Sequence, residues 1–173
     1  NRSVDITTSV TGTFTTEGWA VYKYTNLQSN GESGKNTTFP DTDFPMFRLG
    51  DVYLMYAEAV ARGGEGGDLA TAVNYINALR ERAYGDTYHN ITESWLLENN
   101  LQNILDERCR ELYWEGVRRT DLIRFGLYTS PNYLWTFKGG VLNGVGVDSR
   151  YNVFPIPTTD MSVNGNLKQN EGY

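Results

Sequence analysis

The stretch Phe47-Arg48-Leu49-Gly50-Asp51-Val52-Tyr53-Leu54-Met55-Tyr56-Ala57-Glu58-Ala59, closed by Arg62-Gly63-Gly64-Glu65-Gly66-Gly67, decides the fold. Leu49, Val52, Tyr53, Tyr56 and Val60 recur at three- and four-residue steps, which predicts one inward stripe of a helix over Phe47–Ala61. The glycine run stops that helix. Asp68 is suited to cap a second one, in which Leu69, Val73, Ile76 and Leu79 form the inward face to about Ala83. Two amphipathic helices joined by a short glycine-rich link predict an antiparallel hairpin of the TPR-like kind.

Upstream of the hairpin, Asn1 to Phe44 is rich in Thr, Ser, Asn and Gly, and Trp19-Ala20-Val21-Tyr22-Lys23-Tyr24 alternates as an extended piece would. Phe39-Pro40 and Phe44-Pro45 disfavour helical geometry before each proline, so Pro45 is the boundary ahead of the first helix. Downstream, a third helix is predicted from Thr92 or Ser94 to Glu115, with Leu97, Leu101, Ile104, Leu105, Arg108 and Leu112 on one side. Gly116 breaks or kinks it, and Val117–Phe125 reads as a short further helix closed by Gly126. From there to Tyr173 frequent Gly, Pro and Asn predict ordered coil with a small hairpin. The expected class is mainly α, with long irregular, loop-rich N- and C-terminal segments.

A chain of 173 residues with 39% hydrophobic content is long enough for one core and, by default, one domain. Its net charge of -6, with cations interleaved among acids, argues against nucleic acid. Cys109 is the sole cysteine, which excludes an intrachain disulfide and a multi-thiolate zinc site. No apolar run approaches the ~20 residues that span a bilayer, and no signal-peptide pattern stands at the start. The first residue is Asn1, so the sequence reads as a processed or truncated product whose targeting or lipid-anchoring segment lies upstream.

Three ordered blocks carry a family resemblance. The first is the Phe47–Ala59 stretch, which resembles the "RLADVLLMYAEA" helix of the SusD/RagB family. The second is Ile104-Leu105-Asp106-Glu107-Arg108-Cys109-Arg110-Glu111-Leu112 with Glu115-Gly116-Val117-Arg118 and Asp121-Leu122-Ile123-Arg124, similar to "ILDERARELAGEGxRxxDLIR". The third is Phe154-Pro155-Ile156-Pro157 followed by Asn164, Leu167, Gln169-Asn170 and Gly172-Tyr173, close to "YPIP…NPxLxQNPGY". Gly50, Cys109, Gly165 and Glu171 depart from the pattern, at positions whose chemistry the argument does not use.

The resemblance implies a SusD-like helical domain, specifically the C-terminal portion spanning 1–173, with the N-terminal TPR-like half of the family absent. It also implies a lipoprotein on the outer membrane at the cell surface, held there by a lipid anchor outside this chain. In that place it would bind glycan for polysaccharide utilisation of the Bacteroidetes type and pass it to a SusC-like TonB-dependent transporter, with no cofactor and no catalysis.

The residues themselves allow other chemistry to be weighed. Glu107, Glu111 and Glu115 share a helix face and could be imagined as metal ligands or an acid/base pair. Asp106, Arg108, Arg110, Arg118, Asp121 and Arg124 stand beside them, so a structural ion-pair network, with Asp106–Arg110 at i,i+4, pinning the long helix to its successor is the reading adopted. His89 is the sole histidine and suits a surface loop, and Cys109 suits a packed small hydrophobe. No Gly-x-Ser-x-Gly turn and no phosphate loop are present. Carbohydrate binding instead calls for aromatic platforms with polar anchors. Tyr128, Asn132, Tyr133 and Trp135, in the loop that also holds Phe137 and Lys138, are the candidates, together with Trp19 and Tyr22. A glycan binder, a docking scaffold without its own glycan site and a two-carboxylate glycoside hydrolase are the three readings, in that order.

Overall fold

The computed structural model describes Gly18, Val21, residues 23–136 and residues 140–173. These group into two compact units, Val21–Arg118 and a second that includes Arg119–Tyr173. The class is mainly α, as expected.

In the first unit, α1 (Leu49–Ala61) and α2 (Leu69–Tyr84) pack on each other as the predicted hairpin. Asp68 caps α2 as expected: its carboxylate accepts the Thr71 N–H at 2.8 Å. That bond satisfies one of the four N–H groups a helix start leaves unpaired. The inward face of α1 differs from the predicted stripe. Leu54 and Ala57 are fully buried, Tyr53, Tyr56 and Val60 pack at the edge of the core, and Leu49 and Val52 are exposed. The face is rotated because α1 is nearly all apolar, so periodicity alone cannot rank its sides; contact with α2 and α4 selects Leu54 and Ala57.

The predicted long third helix is three pieces: α3 (Glu93–Leu97), a 3-10 turn (Asn99–Leu101) and α4 (Gln102–Glu111). Asn99, Asn100 and Leu101 have φ of 53°, 51° and 63°, a left-handed run that no α-helix passes through. Asn tolerates that region because its short amide bonds locally, and the Asn99-Asn100 pair is the signal that marks the break. Leu97, expected inward, is exposed at the end of α3. Leu96, Ile104 and Leu112 join Ile76, Leu79 and Ile91 in one core cluster with α1.

In the second unit, α5 (Arg118–Arg124) ends at Gly126, whose N–H bonds the Ile123 carbonyl. The expected C-terminal hairpin is absent among the described residues. The tail instead holds a 3-10 turn (Ser149–Asn152) and α6 (Thr158–Val163), pinned by Gln169, whose side chain bonds both the N–H and the carbonyl of Ile156. No strand forms among the described residues; the one bridge is Leu27–Ser33.

Candidate functional site

Two groups of candidate residues are positioned by this fold, one in each unit. In the first, the i,i+4 spacing of Glu107 and Glu111 puts both carboxylates on one side of α4. The chain then leaves the helix through Trp114, at φ 63°, and carries Glu115 to the same group of cations as Glu111.

Cations from outside α4 meet them. Arg48, the residue preceding α1, donates Nε and Nη2 to the two oxygens of Glu115 at 2.7 and 2.8 Å, Nη1 to Glu111 Oε1 at 2.5 Å and Nη2 to the Glu111 carbonyl at 2.7 Å. Arg82 of α2 takes Glu111 Oε2 at 2.6 Å, and Lys23 pairs with Glu115. Glu107 Oε2 is shared by Arg80 of α2 and Arg110, at 3.0 and 2.6 Å. Arg108, buried, donates to Asp51 at 2.9 Å.

The network therefore ties α4 to the start of α1 and the last turns of α2. Arg118, the last residue of the first unit, donates Nη1 to the Leu105 carbonyl at 2.9 Å, with Asp106 4.0 Å from the same guanidinium. The anticipated Asp106–Arg110 pair is not formed: Asp106 accepts from Gln102, and Arg110 turns to Glu107. Asp121, buried, pairs with Arg124 at 2.8 Å in the second unit. Lys23, Arg48, Asp51, Arg80 and Arg82 escaped sequence reasoning. Glutamates spaced by four need partners off their own helix, but nothing in the spacing says which cations supply them.

Burial pushes the Glu111 carboxyl up, yet the Arg82 and Arg48 hydrogen bonds outweigh it and hold it below the ordinary glutamate range. Glu115 is lowered in the same way, its burial outweighed by Arg48 and Lys23. The Arg48 guanidinium is raised correspondingly, chiefly by Glu115. These side chains border an open hollow of about 550 Å³ that Pro45 and Tyr113 also line. A carboxylate held ionised this firmly cannot keep a proton for general acid work near neutral pH. No trio of His, Cys, Asp or Glu among the described residues is disposed to hold a metal.

In the second unit the loop after α5 brings three candidates together. The Tyr128 and Trp135 ring centroids lie 5.6 Å apart at 54°, and Tyr133 meets Trp135 edge-on at 6.1 Å. All three rings are half-buried, and Asn132 beside them is exposed. Arg119 lies over Tyr128 at 5.1 Å and over Phe154 at 4.2 Å, and donates to the carbonyls of Tyr151 and Asn152. It fixes one wall of the aromatic group, a role that spacing and composition do not reveal. Trp19, Tyr22, Phe137 and Lys138 lie outside the described residues. His89 is exposed and stacks on Tyr84 at 4.0 Å, and Cys109 is half-buried.

A model of the SusD family matches residues 3–173. The chain is 45% identical over 159 residues to Starch-binding protein SusD of Bacteroides thetaiotaomicron, covering 91% of this chain and 26% of that protein. It is 33% identical over 132 residues to SusD-like protein P25 of Formosa agariphila, covering 74% of this chain and 24% of that protein. The chain thus spans about a quarter of the length of the curated relatives it matches.

Proposed function

The chain belongs to the SusD family, and from that premise we propose that it captures glycan non-covalently at the cell surface and serves delivery to a TonB-dependent outer-membrane transporter. The observation that carries this reading is the Tyr128–Tyr133–Trp135 group, with the exposed Asn132 next to Tyr133 in the chain. Half-buried rings keep a firm position and still offer a face to the apolar C–H side of a sugar, while amide and main-chain groups take its hydroxyls. A relative at 45% identity is named for binding starch, which supports a glucan among the ligands.

The chain is proposed to be no enzyme. Its most conspicuous carboxylates, Glu111 and Glu115, are occupied by Arg48, Arg82 and Lys23 and kept ionised, whereas a glycoside hydrolase needs one carboxyl that holds a proton. Affinity electrophoresis against a polysaccharide panel tests the binding, with retardation in at least one gel expected and its loss in Trp135→Ala. Release of reducing sugar on long incubation would count against the non-enzymatic part. Outer-membrane placement through a lipid anchor belongs to the same proposal; no helix among the described residues is long and apolar enough to cross a membrane.

A second reading, a docking scaffold with no glycan site of its own, is favoured by the exposed apolar run before α1, where Met46 is 78% and Phe47 85% accessible. Copurification with a barrel transporter, together with no retardation by any glycan, would favour it.

A further inference from the structure

The loop that precedes α1 encloses a second hollow, of about 440 Å³, that neither group above uses. Tyr24, Thr25, Thr37, Thr38, Asp43 and Phe44 are among the residues that line it. Tyr24 and Phe44 are 38% and 62% accessible, so both rings have area to offer. The three threonine hydroxyls and the Asp43 carboxylate have no partner among the described residues. The loop holds this shape by its own bonds. Thr42 donates to the Thr25 carbonyl, Asn26 donates to the Asn36 carbonyl at 2.6 Å, and the Asp41 carboxylate takes the Lys35 N–H at 2.9 Å. Gly34 completes it: its missing side chain leaves the space that the Asn26 amide oxygen fills.

We propose that this hollow is a second carbohydrate site, specific for neutral sugars, located in the loop 23–45. The proposal rests on the glycan-binding reading and adds to it a site and a ligand class. Rings with free faces, hydroxyls that both donate and accept, and a carboxylate that only accepts match a pyranose ring, which has apolar C–H faces and hydroxyl protons to give. The volume falls within the range of small-molecule sites. The ligand class follows from charge. The lining contains Asp43 and no cation, so the carboxylate would repel a uronate or sulfated sugar in a chain already at -6.

The test titrates the chain with maltohexaose, cellohexaose and xylohexaose, and with hexagalacturonate as the charged comparison. Wild type is expected to bind at least one neutral probe and to ignore hexagalacturonate. Tyr24→Ala and Phe44→Ala should each weaken neutral binding about tenfold, and Asp43→Asn, which keeps the shape, several-fold. Because these side chains are exposed, the melting temperature should stay put. Undiminished affinity in all three variants, with binding lost in Trp135→Ala, would remove this site and leave glycan capture at the aromatic group intact. Equal binding of hexagalacturonate would overturn the neutral specificity, and no binding of any probe by wild type would remove both readings.

Discussion

Arg48 and Glu115 meet fork to fork, with Nε on one carboxylate oxygen at 2.7 Å and Nη2 on the other at 2.8 Å, across 67 positions of sequence. Nη1 of the same guanidinium donates to Glu111 Oε1, and Nη2 donates also to the Glu111 carbonyl. Arg48 is also the residue from which α1 starts, and its side chain makes no cap bond there. One planar cation therefore sets where α1 begins relative to the end of α4, and Lys, a point charge, cannot reproduce that geometry.

Removing the cation leaves two carboxylates partly desolvated, with only Arg82 and Lys23 to hold them. Arg48→Ala should cost about 2–3 kcal/mol, above the ~1 kcal/mol of exposed pairs and below the 3–5 of fully buried ones. Arg48→Lys should recover part of that loss and not all of it. Urea midpoints at neutral pH measure both; a loss within 0.5 kcal/mol, the ordinary range of a surface substitution, would show the network to be decorative.

Acidification should act through the same residues. Glu111 and Glu115 have folded values below the ordinary glutamate value of about 4.3, so their contribution is complete above that pH and is lost as pH falls through the folded values. Arg48 is raised and titrates far above this window, so it adds no dependence here. The urea midpoint should be flat from about pH 7 to 5 and decline towards about pH 3, with a shallower decline in Arg48→Ala. A midpoint that rises on acidification would contradict the assigned pairing.

The rotation of α1 gives a direct comparison within one helix. Leu54 is fully buried against the core, so Leu54→Ala should cost roughly 2–5 kcal/mol. Met55, its neighbour, is exposed, and Met55→Ala should stay within about 0.5 kcal/mol. Reversed costs would show that the side of α1 carrying Leu54 does not face the core.

That comparison also shows what the sequence could and could not tell. Asp68 as a cap, the glycine link and the Gly126 stop are local chemistry, and each stands where spacing put it. The face of α1 is decided by contacts with α2 and α4, which no period within α1 encodes. The break at Asn99–Leu101 was legible in its asparagines but was masked by the apolar spacing that continues across it. Within the candidate sites the acids were legible because they cluster on one helix. Arg48, Arg80 and Arg82 were not, since ion pairs spanning 27, 29 and 67 positions leave no trace in spacing. The loop around Tyr24 and Phe44 read as polar coil because its threonines converge only through the bonds of Asn26, Asp41 and Thr42.

Gly144 offers a way to move the proposed platform without deleting a ring. Its φ is +77°, and a side-chain carbon there would stand 2.8 Å from the Trp135 carbonyl carbon, closer still to its oxygen. That neighbour is backbone, so it cannot swing aside as a side-chain tip would. Gly144→Ala should therefore cost about 1–2 kcal/mol for the left-handed conformation alone and shift Trp135 from its 5.6 Å contact with Tyr128. Glycan affinity should fall with it, towards the level of Trp135→Ala. Gly165→Ala is the control, since a carbon there meets nothing within 4 Å. If glycan retardation is equal in Gly144→Ala, Gly165→Ala and wild type while Trp135→Ala abolishes it, the Trp135 ring matters but its placement against Tyr128 does not, and preorganisation of the platform has to be given up.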